Sequence, residues 1–261
     1  MTHAGRERPA FTIDAFHRGD FWLVQPRDAG HRAGMDALML AAAVPSGFRG
    51  HLADFGAGAG AAGLAVAARC PDATVTLVEQ SAEMAGFARQ TLAHEGNARL
   101  ASRVSLLEAD VTLTGKARAA VGLADDSCDF VIMNPPFNMA SDRSTPDELR
   151  RRAHVMEDGL FETWLRSAAA VARPRAGLAL IARPQSLPQI LAALAGRFGS
   201  AEIIPIHPRA DAAAIRIVLR ARKGARGGLA LRPPLILHEH GHKLSARADA
   251  TSNGQASLFG D

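Results

Sequence analysis

Four short stretches of this chain hold residue types that could do chemistry together. Asp54-Phe-Gly56-Ala-Gly58-Ala-Gly60 sets an acid two residues before a run of glycines. Such a run permits a tight turn and lets a ligand lie against the backbone. Glu79 follows roughly 20 residues on, where an acid hydrogen-bonds ribose hydroxyls, and Asp110 closes Glu108-Ala-Asp110. The fourth stretch ends an apolar run, Phe130-Val-Ile-Met133, with Asn134-Pro-Pro-Phe137. Proline supplies no N–H and fixes φ, so a central strand must stop there. The Asn134 side chain and the Asn134 and Pro135 carbonyls then become hydrogen-bond acceptors with a stiff aim. Taken alone, that run reads as a strand ending in a rigid turn.

The glycines allow two ligand classes. Gly58-x-Gly60-x-x-Gly63 also fits a nicotinamide dinucleotide fingerprint. Asp54 helps to separate them, because a carboxylate repels a pyrophosphate and attracts the amine and positive charge of a sulfonium cofactor. Asp110 could accept from the amino group of an adenine ring, and equally could cap the segment after it.

These residues need a frame. Strands at His51–Phe55, Ala73–Glu79, Arg103–Leu107, Asp129–Met133 and Gly177–Ala182 alternate with helices near Ala61–Arg69, Ser81–Glu95, Lys116–Val121, Phe161–Ala172 and Leu187–Phe198. That alternation predicts a parallel sheet with helices on both faces. Ala201–Ile206 and Ala214–Ala221 are too close for a crossover helix, which predicts an antiparallel edge hairpin. Upstream, residues 1–20 read as a loose arm. Residues 21–34 read as two short strands around a turn at Arg27–Gly30, and Asp36 as the N-cap of a helix through Val44. The C-terminal stretch from Ser245 has few apolar residues and reads as disordered. The expected organisation is an N-terminal arm, hairpin and covering helix (1–44), a domain over 45–245 and a disordered tail (246–261).

At 261 residues and 48% hydrophobic, the chain can bury one substantial α/β core. Two cysteines, Cys70 and Cys128, exclude a disulfide framework and suggest a reducing compartment. With neither a signal-like apolar core nor a membrane-length run, the sequence reads as cytoplasmic and off the membrane. Thirty Lys and Arg against 26 Asp and Glu give a net charge of +4, which tolerates a polyanionic partner without demanding one.

The order DFGAGAG, Glu79, EAD and NPPF resembles the class I S-adenosylmethionine-dependent methyltransferases, and NPPF the subset that methylates exocyclic or amide nitrogens. Gln25-Pro26 followed by Gly30-His-Arg-Ala-Gly-Met-Asp36-Ala-Leu-Met-Leu40 is similar to a motif of the bacterial tRNA(Val) adenine-N6 methyltransferase group, as is RIVLRARKG near the C-terminus. His31 replaces an aromatic of that motif, and Phe137 stands where many relatives have tyrosine. The resemblance implies a Rossmann-like seven-stranded sheet. It implies S-adenosylmethionine held by Asp36, Asp54, Gly56, Ala57, Gly58, Glu79, Gln80, Asp110, Val111 and Asn134. The target nitrogen would be presented by Asn134, Pro135 and Phe137, and the expected substrate is an adenine in tRNA. Two other readings stay open: a glutamine-amide methyltransferase of release factors, and a non-catalytic RNA-binding protein that retains the cofactor fold.

For the RNA backbone the sequence offers Arg152, in the insert after NPPF, and Arg220, Arg222 and Lys223 on the last strand. Arg152 fits a solvated helix face as well as a phosphate contact. Trp22 and Trp164 read as packing residues. His238-Glu-His240-Gly-His242 matches a zinc-protease string, but that motif needs a helix. Pro233-Pro234 before it and Gly241 within it argue for a solvated strand end and no metal.

Overall fold

The computed structural model describes residues 10–27, 33–136, 146–239 and 241–261, with 146–158 described by backbone alone. An N-terminal hairpin pairs β1 (Phe11–Phe16) with β2 (Phe21–Pro26) around a short turn at His17–Gly19. The segment read as a loose arm is therefore a strand. Its alternation is Phe-Thr-Ile-Asp-Ala-Phe, a two-residue period whose half-buried set is Thr12, Asp14 and Phe16. Asn97 holds the hairpin by accepting from Trp22 N at 2.9 Å and donating to Trp22 O at 2.7 Å. Trp22 stacks on His94 and serves as packing.

The main chain of elements follows as α1 (Met35–Ala41), β3 (Gly50–Phe55), α2 (Ala61–Arg69), β4 (Ala73–Glu79), α3 (Ala82–Ala93), α4 (Ala98–Ala101) and β5 (Val104–Glu108). Next come α5 (Gly115–Ala120), β6 (Cys128–Met133), α6 (Pro146–Val171), β7 (Ala172–Ala182), α7 (Leu187–Leu194), β8 (Phe198–His207) and β9 (Arg216–Lys223). Two-residue strands β10 (Ala230–Leu231) and β11 (Leu235–Ile236) and helix α8 (Ala246–Ser252) complete it. Helix α1 begins after Gly34, so Asp36 is not its N-cap and sits in its first turn.

The sheet order is β10-β8-β9-β7-β6-β3-β4-β5, with β11 also on β8. Strands β3 to β7 pair in parallel, and β9 runs antiparallel between β7 and β8. This is the expected Rossmann-like sheet of seven strands with its antiparallel hairpin; β10 and β11 extend the β8 edge to nine. Alternate residues of β6 feed two cores. Phe130 and Ile132 join one with α1 and α2, while Val131 and Met133 join the other with α6 and α7. Burial on both faces is why these strands read as unbroken apolar runs. After β3 the chain builds outward through β4 and β5, then crosses to β6 on the other side. That reversal opens a crevice at the carboxyl ends of β3 and β6.

The tail expected to be disordered is folded. Ser245 caps α8 by accepting from Ala248 N at 3.1 Å, and Ala248 and Leu258 are buried. Leu258 N donates to Ala42 O at 2.7 Å, which ties the tail to the end of α1. Its few apolar residues suffice because they dock on a surface that is already formed.

Candidate active site

Register places Asn134 beside the glycine loop. Phe55 of β3 pairs with Met133 of β6, so Gly56 and Asn134 are the residues that directly follow the last paired positions of two adjacent strands. Asn134 is half-buried, Pro135 buried and Pro136 exposed. Among the described residues the Asn134 side-chain amide has no hydrogen-bond partner. Phe137 lies outside the described residues.

The loop is held by its own backbone, as Gly56 N and Ala57 N both donate to Val78 O, at 2.9 and 3.1 Å. Gly56 has φ of +69°, and a Cβ there would come within 2.7 Å of the Trp164 ring. Buried Trp164, on α6, is thus a packing residue whose indole seats the loop. Gly63 serves packing too: an added Cβ would meet Leu77 Cδ2 at 2.3 Å.

Three acids converge on this rim. Asp54 is 2% exposed and accepts from Gly63 N at 2.8 Å. Burial pushes its carboxyl up to about 7; the Gly63 bond opposes that shift and the neighbouring Glu79 adds to it. Glu79 closes β4, accepting from Gly58 N and Ser81 N at 2.8 Å each. Each carboxylate oxygen keeps a further lone pair for a ligand hydroxyl. Asp110, just past β5, accepts from Thr112 N at 2.7 Å in a local turn. Gln80 is exposed and Val111 buried beside these acids.

The donor set fits S-adenosylmethionine. It offers carboxylates to hydroxyls, an amino group and a positive charge, and it faces open space over Gly58, where a Cβ would meet only Met84 Cε at 3.6 Å. A pyrophosphate would face Asp54 and Glu79 instead. Calorimetry should therefore give micromolar binding of S-adenosylmethionine or its demethylated product, about −8 kcal/mol. Tight binding of NADH with no response to either would refute that fit.

Other expected site residues lie elsewhere. Asp36, in the first turn of α1, pairs at 2.7 Å with Arg216 Nε at the start of β9, next to the carboxyl end of β7. Lys223 pairs with Asp126 at 2.8 Å, at the amino-terminal end of the sheet opposite Asn134. Arg220 donates to Glu202 and Asp261 at 2.9 and 2.7 Å and lies 4.2 Å over the Phe259 ring. Arg222 is exposed at the same far end. The sequence shows alternating arginines but not the acids that neutralise them, so Arg220 and Lys223 are ion-pair residues here. Arg220→Ala should lower stability by about 1 kcal/mol or less, because Asp261 loses its arginine while Glu202 keeps Arg232. The salt dependence of RNA binding should not change, and a flatter salt slope would restore the phosphate role. The Arg152 side chain lies outside the described residues.

His238 forms a β-bridge with Leu244 and its ring faces Lys243 O at 3.2 Å. His238 and His242 thus lie in a turn after β11 and not on the helix that the zinc string needs; His240 is outside the described residues. No helix among the described residues is long and apolar enough to cross a membrane.

The Methyltransferase small domain family matches residues 32–154. Ribosomal RNA small subunit methyltransferase C of Pseudomonas fluorescens is 37% identical over 114 residues, 42% of this chain and only 30% of that protein. Among solved structures, a predicted O-methyltransferase, protein Atu636 from Agrobacterium tumefaciens, is 45% identical with a TM-score of 0.75, covering 85% of this chain and 98% of that one. The T. thermophilus 16S rRNA N2 G1207 methyltransferase, solved with AdoMet and guanosine, has a TM-score of 0.54 at 22% identity over 82% of this chain and 50% of that one, a likeness of fold. By motif order, sheet topology and a full-length relative, the chain belongs to the class I S-adenosylmethionine-dependent methyltransferases.

Proposed function

We propose that this enzyme methylates an exocyclic amino nitrogen of a base in RNA, with the N6 of an adenine in tRNA as its substrate. One observation carries the reading: the Asn134 amide, without a partner among the described residues, directly follows the β3–β6 pairing that ends at the glycine loop, and is backed by a buried Pro135. The bound cofactor supplies an electrophilic methyl group on a sulfonium. An exocyclic amine is a poor nucleophile because its lone pair is delocalised into the ring. Asn134 Oδ1 and the Pro135 carbonyl accept its two N–H groups and favour a more tetrahedral nitrogen, with the lone pair held in line by orientation and preorganised dipoles. Pro136 confines Pro135 to an extended conformation, which keeps that carbonyl aimed. Phe137, in the family reading, stacks on a base drawn out of its own stack. No strong base is required, since the methylated nitrogen is acidic enough to lose its proton to water. A hydroxyl acceptor is a poorer match, because neither Asn134 nor Pro135 can take its proton.

Guanine N2 in ribosomal RNA is the second reading, favoured by the 37% match to a ribosomal RNA methyltransferase. The same acceptor pair serves either amine. Purified enzyme with methyl-labelled cofactor should label unmodified tRNA, and ribosomal RNA under the second reading. Label appearing only in a release-factor protein would replace both with amide methylation.

A further inference from the structure

We propose that Trp164 is a positioning residue for methyl transfer: its indole sets the glycine loop, and with it the methyl donor, in register with Asn134. The inference deepens the reading above and rests on it for the reaction. Phe55, Val78 and Met133 lie at the carboxyl ends of three adjacent strands and immediately precede Gly56, Glu79 and Asn134. All three side chains enter the core to which Trp164 of α6 belongs. The glycine loop, an acid of the rim and the acceptor for the target amine therefore stand on one packed floor.

Gly56 is held between two supports. On the β4 side its N–H donates to Val78 O at 2.9 Å, and Ala57 N joins it at 3.1 Å. On the α6 side the benzo edge of the indole lies so close that a Cβ on Gly56 would stand 2.7 Å from Trp164 Cη2 and 3.3 Å from Cζ3. The three atoms nearest that position all belong to the Trp164 ring, so the ring sets how far the Gly56 backbone sinks. Close-packed interiors pass such displacements on instead of absorbing them. In-line transfer from sulfur to nitrogen tolerates little of this, since a misplacement of about 1 Å costs roughly a hundredfold in rate. Glu79 and Asp54 brace the loop separately, through Gly58 N and Gly63 N, and those bonds do not depend on the ring. Loss of the indole edge therefore acts on alignment more than on cofactor affinity.

The test has a spectroscopic and a kinetic arm. The chain has two tryptophans, and the other, Trp22, stacks on His94 beside the hairpin. Trp22→Phe keeps a ring for that stack and leaves Trp164 as the single indole emitter. Titrating this variant with S-adenosylmethionine should change the Trp164 emission and saturate at the affinity found by calorimetry, because the ligand lies against the loop that the ring touches. In the kinetic arm, Trp164→Phe keeps an aromatic core but lacks the outer ring that meets Gly56. Its single-turnover rate on unmodified tRNA at saturating cofactor should fall roughly tenfold or more, with little change in S-adenosylmethionine affinity. A residue that only stabilises the fold would lower the unfolding temperature and leave the rate of folded enzyme unchanged. Should Trp164→Phe fail to fold, the emission of Trp22→Phe still decides. A silent indole in protein that calorimetry shows to be saturated, or a folded Trp164→Phe enzyme as fast as the parent, overturns the positioning role alone. A parent that methylates no RNA overturns the functional reading, and the emission arm, which needs no acceptor, then decides the role of Trp164 by itself.

Discussion

Asn134→Ala should cut the single-turnover methyl-transfer rate by roughly a hundredfold or more, the usual loss when one preorganised polar partner of a reacting group is removed. Cofactor affinity should change little, because Asp54, Glu79 and Asp110 stand at other strand ends and keep their own hydrogen bonds. Asn134 follows a buried strand, so unfolding temperature and cofactor titration must both match the parent before the rate is read. Phe137→Ala should act differently, weakening capture of the base by about 1–3 kcal/mol of stacking. Phe137→Tyr should remain active. An Asn134→Ala enzyme as fast as the parent would reduce the Asn-Pro-Pro turn to a strand terminator.

Asp54→Asn should separate stability from cofactor binding. Burial raises the Asp54 carboxyl from 3.8 to about 7, so the folded state binds its proton more tightly than the unfolded chain does. The sign follows from linkage: this group favours the fold at low pH, and that contribution is lost as pH rises from about 4 through 7. Asparagine keeps an oxygen for Gly63 N and carries no charge. The variant should therefore unfold at a higher temperature than the parent at pH 8, by a smaller margin at pH 5, and at a similar one at pH 4. Cofactor affinity should move the other way, falling roughly tenfold to a hundredfold at pH 8 with loss of a buried negative charge near a cationic ligand. In the parent, affinity should rise from pH 5.5 to 8 as Asp54 ionises; in Asp54→Asn it should be flat. A variant that binds as tightly as the parent at pH 8 would make Asp54 a loop-bracing residue only.

The sheet and the acids at its rim were legible because their signals are local. Asp54 and Glu79 lie at the carboxyl ends of strands, and Asp110 just past one, each strand marked by its own apolar run, and the parallel order comes from strand–helix alternation. The hairpin strand Phe11–Phe16 was missed because only half of its short alternation is even partly covered. The tail was missed because Leu258 and Phe259 gain their burial from α1 and β9, not from one another. Charge pairing was the least legible feature. Arg216 finds Asp36 across 180 residues and Arg220 finds Asp261 across 41, and no spacing rule reaches so far. That is why the far-end arginines looked free in the sequence.

The central claim is that Asn134 presents an exocyclic base amine to the methyl donor. Unmodified tRNA and 16S ribosomal RNA should be incubated with the enzyme and methyl-labelled S-adenosylmethionine, digested to nucleosides and resolved by mass spectrometry. The account predicts label in N6-methyladenosine from tRNA, or in N2-methylguanosine from ribosomal RNA under the second reading, and an initial labelling rate roughly a hundredfold lower with Asn134→Ala. Label on a ribose oxygen or a ring nitrogen would contradict it.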